Sequence, residues 1–389
     1  MEAFYEDDTV QLYLGDSLDI LPTLADNSVD AVVCDPPYAL TELPTSLVTD
    51  ALTAWLTGDR TYIPATGAGF MGRDWDRFVP PPAIWDECLR VLKPGGHLLA
   101  FASARTVDLM GLSIRLAGLQ IRDSIDWIHG NGMPKGKHQL KPAHEPVIVA
   151  RKPLDGTIAA TILTHGTGGL NIDDCRVDWD AKSLAKDTAR RQQPRHDMTG
   201  GRLIGGESGA YQGDPTSPPG RWPTNVLLGH GPDCVVGGDC QAGCPVAEMD
   251  KQSGITGSNA RINKGIGMGY HGADGERGAW TGGDSGGASR FFPIFKYEAK
   301  APKSERPRLA DGTAWPTVKP LALMRWLVRL VTPPGGTVLD WCAGTGTTLE
   351  AARLEGFSSI GVEREKDAAE LCRVRLEKPY MADLFGGAA

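Results

Sequence analysis

The sequence predicts an α/β fold in which a mostly parallel sheet is covered by helices on both faces. At both ends of the 389-residue chain, apolar runs of strand length alternate with amphipathic segments of helix length. This alternation is typical of parallel strands, because each pair needs a crossover connection that is usually a helix. Several predicted strands also end on a polar residue followed by a turn signal, which is where open α/β sheets bind ligands.

The individual elements follow from periodicity and from start and stop signals. Strands are predicted at 10–16, 29–35, 97–103, 123–130, 145–153 and 358–365, and a strand with the loop that follows it is predicted at 336–344. Helices are predicted at 81–92, 105–118, 319–331 and 347–356. The first of these helices has proline at its start, and the "KPGG" that follows should end it.

The middle of the chain has a different texture, and this divides the sequence into three parts. More than half of the 49 glycines lie between residues 154 and 307, in stretches without helical or strand period. We therefore predict a catalytic domain assembled from residues 1–153 and 308–389. Residues 154–307 are predicted to be an inserted recognition region.

Composition excludes some classes and leaves others open. No apolar run reaches the length of a membrane span and the acidic start is not a signal peptide, so no membrane association is expected. Eight scattered cysteines indicate a reducing cytoplasm. The net charge is −8, yet residues 181–310 carry a net +4, which suits either a phosphate-facing module or ordinary solvated surface.

The motif Asp35-Pro36-Pro37-Tyr38 stands at the end of a predicted buried strand. Proline cannot donate to a sheet ladder and holds its backbone rigid, so the directions of the Asp35 carboxylate and the Pro36 carbonyl are fixed. Together they offer two acceptors aimed at one point, which suits an –NH₂ donor. Tyr38 adds a flat face on which a ring can stack. The motif therefore predicts a catalytic site whose substrate presents an –NH₂ group on a ring.

A second motif, "VLDWCAGTGTT", predicts a cofactor loop. A strand ends at Asp340, and Gly344 and Gly346 then open a helix whose N-terminus favours a carboxylate or phosphate. The loop lacks the lysine of a phosphate-binding P-loop. About twenty residues on, a further strand ends at Glu363, which is placed to accept both hydroxyls of an adenosine ribose.

Together these residues resemble the S-adenosylmethionine-dependent amino-methyltransferases of DNA. The order, with the Asp-Pro-Pro-Tyr motif near the N-terminus and the glycine loop near the C-terminus, is similar to the permuted β group, whose recognition region lies between the two. The similarity covers both ends of the chain. The middle is more loosely similar to phage and prophage modification methylases.

The resemblance implies roles for further residues. The cofactor-binding residues would be Asp16, Lys319, Asp340, Cys342, Gly344, Thr345, Gly346, Thr347 and Glu363, with Asp16 near the adenine. Lys319 lies in "WPTVKP", where Trp315 replaces the usual histidine. Residues 143–152 resemble the family's antiparallel edge strand. Double-stranded DNA would be the partner, and the choice between a monomer and a homodimer is left open.

The implied function is methylation of a flipped-out base. Aspartate as the first motif residue favours N6 of adenine by resemblance, whereas geometry alone suits N4 of cytosine equally. The remaining alternatives are methylation of RNA or of a protein amide, and an inactive DNA-binding remnant.

The glycine-rich region contains four potential metal ligands within one stretch of fifteen residues: His230, Cys234, Cys240 and Cys244. They could hold a structural zinc that fastens a loop unable to build its own core. The spacing matches no standard zinc finger, and a set of reduced, partly buried thiols is the other interpretation.

Overall fold

The fold was examined in a computed structural model that describes residues 2–40, 43–65, 69, 74–129, 137–179, 184–185, 219–231, 233–235, 239–257, 285–295, 307–309, 311–312, 315 and 317–378. A ten-stranded, mostly parallel sheet forms its centre, in the order β1-β2-β12-β11-β3-β4-β6-β5-β7-β10. Within this sheet, antiparallel pairing among the described residues is confined to β1 with β2 and to β6 with its neighbours β4 and β5. A separate two-stranded antiparallel sheet is formed by β8 and β9. The predicted α/β fold is confirmed.

The N-terminal part supplies six strands and four helices of the described chain. The strands are β1 (Tyr5–Glu6), β2 (Val10–Leu14), β3 (Val29–Cys34), β4 (Leu92–Phe101), β5 (Gln120–Ile128) and β6 (His144–Arg151). The helices are α1 (Ser17–Ile20), α2 (Thr45–Thr57), α3 (Pro82–Val91) and α4 (Val107–Leu116). Helix α3 ends where the sequence predicted, and β4 begins at the next residue.

The region predicted as an insertion contributes to the same sheet. It holds α5 (Ile158–His165), β7 (Val226–Gly229), α6 (Pro245–Ser253), β8 (Thr256–Gly257), β9 (Ser285–Gly286) and β10 (Ile294–Phe295). Strand β7 pairs in parallel with β5 and then with β10. The expectation that β6 is an edge strand is therefore wrong, because it lies between β4 and β5 and the insertion extends the sheet further.

The C-terminal part closes the other half of the sheet. It comprises α7 (Leu321–Val331), β11 (Thr337–Asp340), α8 (Thr347–Leu354), β12 (Ser358–Glu363) and α9 (Lys366–Leu376). Strand β11 pairs in parallel with β3 on one side and with β12 on the other. No helix in the described ranges has the length and apolar character needed to cross a bilayer.

Alternation along the buried strands divides the core into two layers. Val32 and Cys34 of β3 point into a cluster with residues of helices α2, α3 and α4. Ala31 and Val33 point to the opposite face, against α7 and α8. This two-sided burial explains why β3 reads as a continuous apolar run, and why it must stop before a residue that needs solvent or a ligand.

The two chemical motifs meet because of strand order. The chain proceeds from β3 to β4 on one side and from β11 to β12 on the other, so the direction of progression reverses between β3 and β11. In an open α/β sheet such a switch point leaves a crevice beyond the carboxyl ends of the two strands. Asp35 follows β3 and the Gly344 loop follows β11, and both therefore border this crevice.

Candidate active site

The turn after β3 is held by a carboxylate that sequence reasoning did not find. The buried Asp76 accepts hydrogen bonds from three successive backbone N–H groups, those of Tyr38 (2.7 Å), Ala39 (3.0 Å) and Leu40 (3.1 Å). Ala39 has a φ of 57°, a left-handed conformation that residues with a Cβ rarely adopt. Such strain persists where the surroundings over-determine it, and Asp76 together with the two prolines does so here.

Asp35 is paired with a lysine from the far end of the chain. The Lys319 ammonium donates to Asp35 Oδ2 at 2.6 Å and lies 3.5 Å from Glu145 Oε2. Burial works to lower the pKa of Lys319, but the carboxylates of Asp35 and Glu145 outweigh it and raise that pKa. Lys319 therefore remains a cation, and it orients one oxygen of Asp35 while the other oxygen faces Tyr38.

The sequence predicted that the flat face of the Tyr38 ring stacks on a substrate ring, whereas in the structure Tyr38 contacts Asp35 and Lys319 through its hydroxyl. Its hydroxyl donates to Asp35 Oδ1 and accepts from Lys319 at 3.0 Å. Burial, with the charges of Asp35 and Glu145, raises the pKa of the Tyr38 hydroxyl well above its usual range, so the group stays a donor. A stacking role for its ring stays a prediction.

The loop after β11 wraps around the carboxylate of Glu363. Gly344 donates its backbone N–H to Glu363 Oε2 at 2.7 Å, and Glu365 donates to Oε1 at 2.7 Å. Gly344 has a φ of 53°, and a Cβ built on it would meet no atom within 4 Å. The loop thus leaves open space at Gly344 beside an acid that has lone pairs to spare.

Gly346 serves packing rather than ligand approach. Its φ is 77°, and a Cβ there would stand 2.3 Å from Cys372 Sγ on α9. Arg375, whose side chain is almost fully buried, donates to the Thr345 carbonyl at 2.7 Å and pairs with Glu350 of α8. Helix α9 therefore fixes the loop from behind.

Two acids of this loop are poised to change charge near neutral pH. Burial raises the pKa of Asp340 to about 7, against hydrogen bonds from Thr348 and Cys342 that lower it. Burial likewise raises the pKa of Glu363 to about 7, partly offset by the N–H bonds from Glu365 and Gly344. A ligand that brings hydroxyl donors and positive charge favours the ionised form of both acids.

One cavity connects the two motifs. Its lining includes most of the residues predicted from the sequence, namely Asp16, Asp35, Pro37, Lys319, Asp340, Cys342, Gly344, Thr345, Thr347 and Glu363. Pro36, Tyr38 and Gly346 do not line it. Apolar walls are added by Ile63, Trp75, Phe78 and Trp315. The carboxylate of the first motif and the glycine loop of the second thus share one space, as the strand-end argument predicted.

Asp16 reaches this cavity from the neighbouring strand β2. Its side chain caps α1 by accepting from Leu18 N at 2.9 Å, which points the carboxylate along the helix start. Ser17 Oγ donates to the carbonyl of Trp341 at 2.6 Å, and Gly15 N donates to the carbonyl of Glu363 at 2.9 Å. These bonds tie the β2 end to the glycine loop.

The carboxylates and the open space of this cavity fit an adenosyl group that carries a cationic sulfonium. Glu363 offers carboxylate oxygens for a ribose diol, and Gly344 leaves room for close approach. Asp16, Asp340 and Asp35 place further negative charge along the same wall. The apolar side chains opposite give a flat ring an apolar surface.

Three functional contributors were missed because they carry no motif. Asp76 lies in the loop "RDWDRF", Glu145 lies in β6, and Arg375 lies on α9. A carboxylate or guanidinium buried in a loop-rich protein must have partners, so Asp76 and Arg375 could have been suspected only once their burial was known.

Comparison with known proteins finds a matching family model and several proteins of similar sequence. The model of a family described as DNA methylase, N6_N4_Mtase, matches residues 29–373. Type II methyltransferase M.BglI of Bacillus subtilis is 40% identical over 63 residues, which cover 16% of this chain and 18% of that protein. Type II methyltransferase M.ScaI of Streptomyces caespitosus is 34% identical over 86 residues, which cover 22% and 26%. The chain therefore spans only about a fifth to a quarter of these curated relatives.

Among solved structures, the PvuII DNA methyltransferase (cytosine-N4-specific) is similar with a TM-score of 0.47 and 14% sequence identity. The match covers 98% of this chain and 90% of that structure.

Proposed function

We propose that this chain, which belongs to the DNA methylase family, is an S-adenosylmethionine-dependent DNA amino-methyltransferase and that the amine it methylates is N6 of adenine. The observation that carries the proposed methyl transfer is the position of Asp35, whose carboxylate lines the same cavity as the Gly344 loop and Glu363. The choice of adenine over cytosine comes from aspartate as the first motif residue. An acid as first motif residue, paired with a lysine, supplies a charged acceptor for an exocyclic amine.

The chemistry asks the protein mainly for positioning. S-adenosylmethionine supplies a methyl group on a positive sulfonium, which is already activated for transfer. Asp35 accepts a hydrogen bond from the target –NH₂, with the Pro36 carbonyl as the second hydrogen-bond acceptor, and so turns the nitrogen lone pair towards the methyl group. Proximity and orientation of this kind can supply roughly 7–11 kcal/mol of a barrier.

Lys319 acts on Asp35 and on the proton balance. Its ammonium holds one carboxylate oxygen at 2.6 Å, so the acceptor keeps its direction while the base enters. Once the methyl group is transferred, the amine carries an extra proton, and Asp35 is the nearest base in the proposal. When Asp35 takes up this proton and becomes neutral, Glu145 still supplies a negative charge 3.5 Å from the Lys319 ammonium.

The remaining residues bind the donor. We propose that Glu363 accepts hydrogen bonds from the two ribose hydroxyls of the cofactor and that Asp16 lies beside the cofactor's adenine ring. Residues 340–347 would form the wall along the methionine part of the cofactor. In duplex DNA the target amine is paired and stacked, so the base must leave the helix to reach Asp35. Tyr38 would then release Asp35 and stack on the base.

The base can be identified directly. DNA from a bacterial host that lacks its own DNA methyltransferases and expresses this chain is digested, and the nucleosides are identified by mass spectrometry. We expect N6-methyldeoxyadenosine, absent from DNA of a host expressing the Asp35→Ala variant. N4-methyldeoxycytidine instead would overturn the adenine assignment and leave the family intact, and unmodified DNA from a well-expressed chain would contradict both.

Binding of S-adenosylmethionine is expected to strengthen as pH rises. Asp340 and Glu363 both have a pKa of about 7, and protonation removes the charge and acceptor capacity that the donor needs. The dissociation constant should fall by up to about tenfold per pH unit for each group between about pH 6 and 7, and level off near about pH 8. Isothermal titration calorimetry over this range measures it.

The Glu363→Gln variant serves as the control for this pH dependence. Glutamine cannot titrate, so the remaining slope should reflect Asp340 alone and be about half as steep. A dissociation constant that stays flat between about pH 6 and 8 in the unmodified chain would contradict the assignment of both acids to the cofactor site.

Other expectations from the sequence stay predictions. These are the division at residues 153 and 307, a monomeric or homodimeric state, and a cytoplasmic location.

A further inference from the structure

A second cluster of chemically reactive groups lies outside the cavity described above. His230, Cys234, Cys240 and Cys244 each direct one ligand atom to a common point, and all four atoms lie within 4.8 Å of one another. None of the four residues lines the active-site cavity. Their convergence is therefore not explained by methyl transfer.

The distances fit a tetrahedral metal site. His230 Nδ1 lies 3.5 Å from Cys240 Sγ and 3.4 Å from Cys244 Sγ. With metal bonds of about 2.3 Å to sulfur and about 2.0–2.1 Å to nitrogen, the corresponding edge of a tetrahedron is about 3.6 Å long. The imidazole and the two thiols thus already stand close to the spacing that a shared ion requires.

We propose that these four residues bind one structural zinc ion. Three thiolates with one imidazole are a donor set that zinc favours over magnesium or calcium, which prefer oxygen ligands. Four protein ligands fill the tetrahedral coordination shell and leave no position for water or substrate, which is typical of a structural site. The ion therefore takes no part in methyl transfer.

The local backbone presents the ligands in a fixed order. His230 directly follows β7, and its N–H donates at 2.8 Å to the carbonyl of Phe295, the last residue of the paired strand β10. The backbone N–H of Gln241 donates to Cys234 Sγ at 3.3 Å, a contact that stabilises a thiolate. Cys244 is the residue immediately before α6. One ion would thereby join the end of a sheet strand to the start of a helix.

The site supplies what the local core lacks. Apart from the ligands Cys234 and Cys244, the fully buried apolar residues of this local cluster at the described positions are Leu228 and Val246, with partly buried residues such as Ile128 and Met249 packed against them. Helix α6 in turn holds the segment ahead of β10, since Asp250 accepts from Ser289 N at 2.8 Å. A metal replaces a hydrophobic core where a glycine-rich segment cannot build one.

Metal content of the full-length chain tests the proposal. The chain is expressed in zinc-supplemented medium, freed of any affinity tag, passed over a chelating resin under reducing conditions and analysed by mass spectrometry of metals. We expect about one zinc ion per chain. The Cys240→Ala variant should lose most of it, whereas Cys175→Ala, which removes a buried thiol elsewhere, should keep it.

Two further measurements separate zinc loss from misfolding. The His230→Cys variant retains four ligands and should retain the zinc. Cobalt(II) added to the metal-free, reduced chain should give the intense visible bands of tetrahedral thiolate coordination, and Cys240→Ala should abolish them. A reduced chain that contains no zinc and shows no such bands with cobalt would overturn the proposal. This result would leave the methyltransferase assignment untouched, because the active-site cavity shares no residue with the cluster.

Discussion

Replacing Asp35 by alanine is expected to lower the rate of methyl transfer to DNA by at least about 10³-fold. The variant loses the acceptor that polarises the target amine in the transition state. It keeps the Gly344 loop and Glu363, so S-adenosylmethionine should bind within about threefold of the unmodified affinity. Single-turnover transfer of a tritiated methyl group, together with calorimetric titration of the cofactor, measures the two effects separately.

The Asp35→Asn variant sharpens this test. Asparagine keeps one carbonyl acceptor but turns an –NH₂ towards either Lys319 or Tyr38, which both bond Asp35 in the structure. Its loss of rate should therefore be smaller than that of alanine. Turnover of Asp35→Ala within about tenfold of the unmodified chain would exclude Asp35 from the reaction.

Replacing Glu363 by alanine is expected to weaken S-adenosylmethionine binding by at least about 10²-fold. Hydrogen bonds to a charged acceptor are worth about 1.5–3 kcal/mol each, and the proposed pair to the ribose hydroxyls is lost together. The same change leaves the N–H groups of Gly344 and Glu365 without their 2.7 Å acceptor, which loosens the loop. Equilibrium titration with the cofactor measures the loss.

Glu370→Ala is the matched control for this change. Like Glu363→Ala, it removes one carboxylate, but Glu370 lies on α9 outside the cavity and pairs with Arg373. We expect its cofactor affinity to stay within about twofold of the unmodified chain. Equal affinities of Glu363→Ala and the unmodified chain would remove Glu363 from the cofactor site.

The meeting of the two motifs was predictable from the sequence because it depends only on strand ends. Asp35 and Gly344 lie about three hundred residues apart, yet each follows a strand of strong apolar character. Parallel strands end at one edge of the sheet, so a shared cavity needed only that β3 and β11 be neighbours. Alternating strands and helices at both ends of the chain made that arrangement the natural one.

The interior of the site was not predictable in the same way. The ion pair of Lys319 with Asp35 depends on how the segment before α7 crosses the end of β3, and periodicity does not encode such a path. The three N–H bonds to Asp76 arise from a loop without period. The orientation of Tyr38 towards Asp35 is a rotamer choice set by Lys319 and Asp35 together, which no local pattern specifies.

Strands β7 and β10 of the insertion illustrate a different limit. Strand β7 is four residues long and pairs with β5, and β10 is two residues long and pairs with β7. Short pieces of this kind carry too few residues to show alternation. Their place in the sheet, outside β5, is fixed by tertiary contacts that no local pattern specifies.

The central claim is that one cavity holds both the methyl donor and the acceptor of the target amine. It is tested most directly by a crystal structure of the chain with an unreactive analogue in which an amine replaces the methyl-bearing sulfonium. We predict the analogue's ribose hydroxyls on Glu363, with its amine directed towards the carboxylate of Asp35. An analogue bound elsewhere, or with its amine facing away from Asp35, would contradict the account.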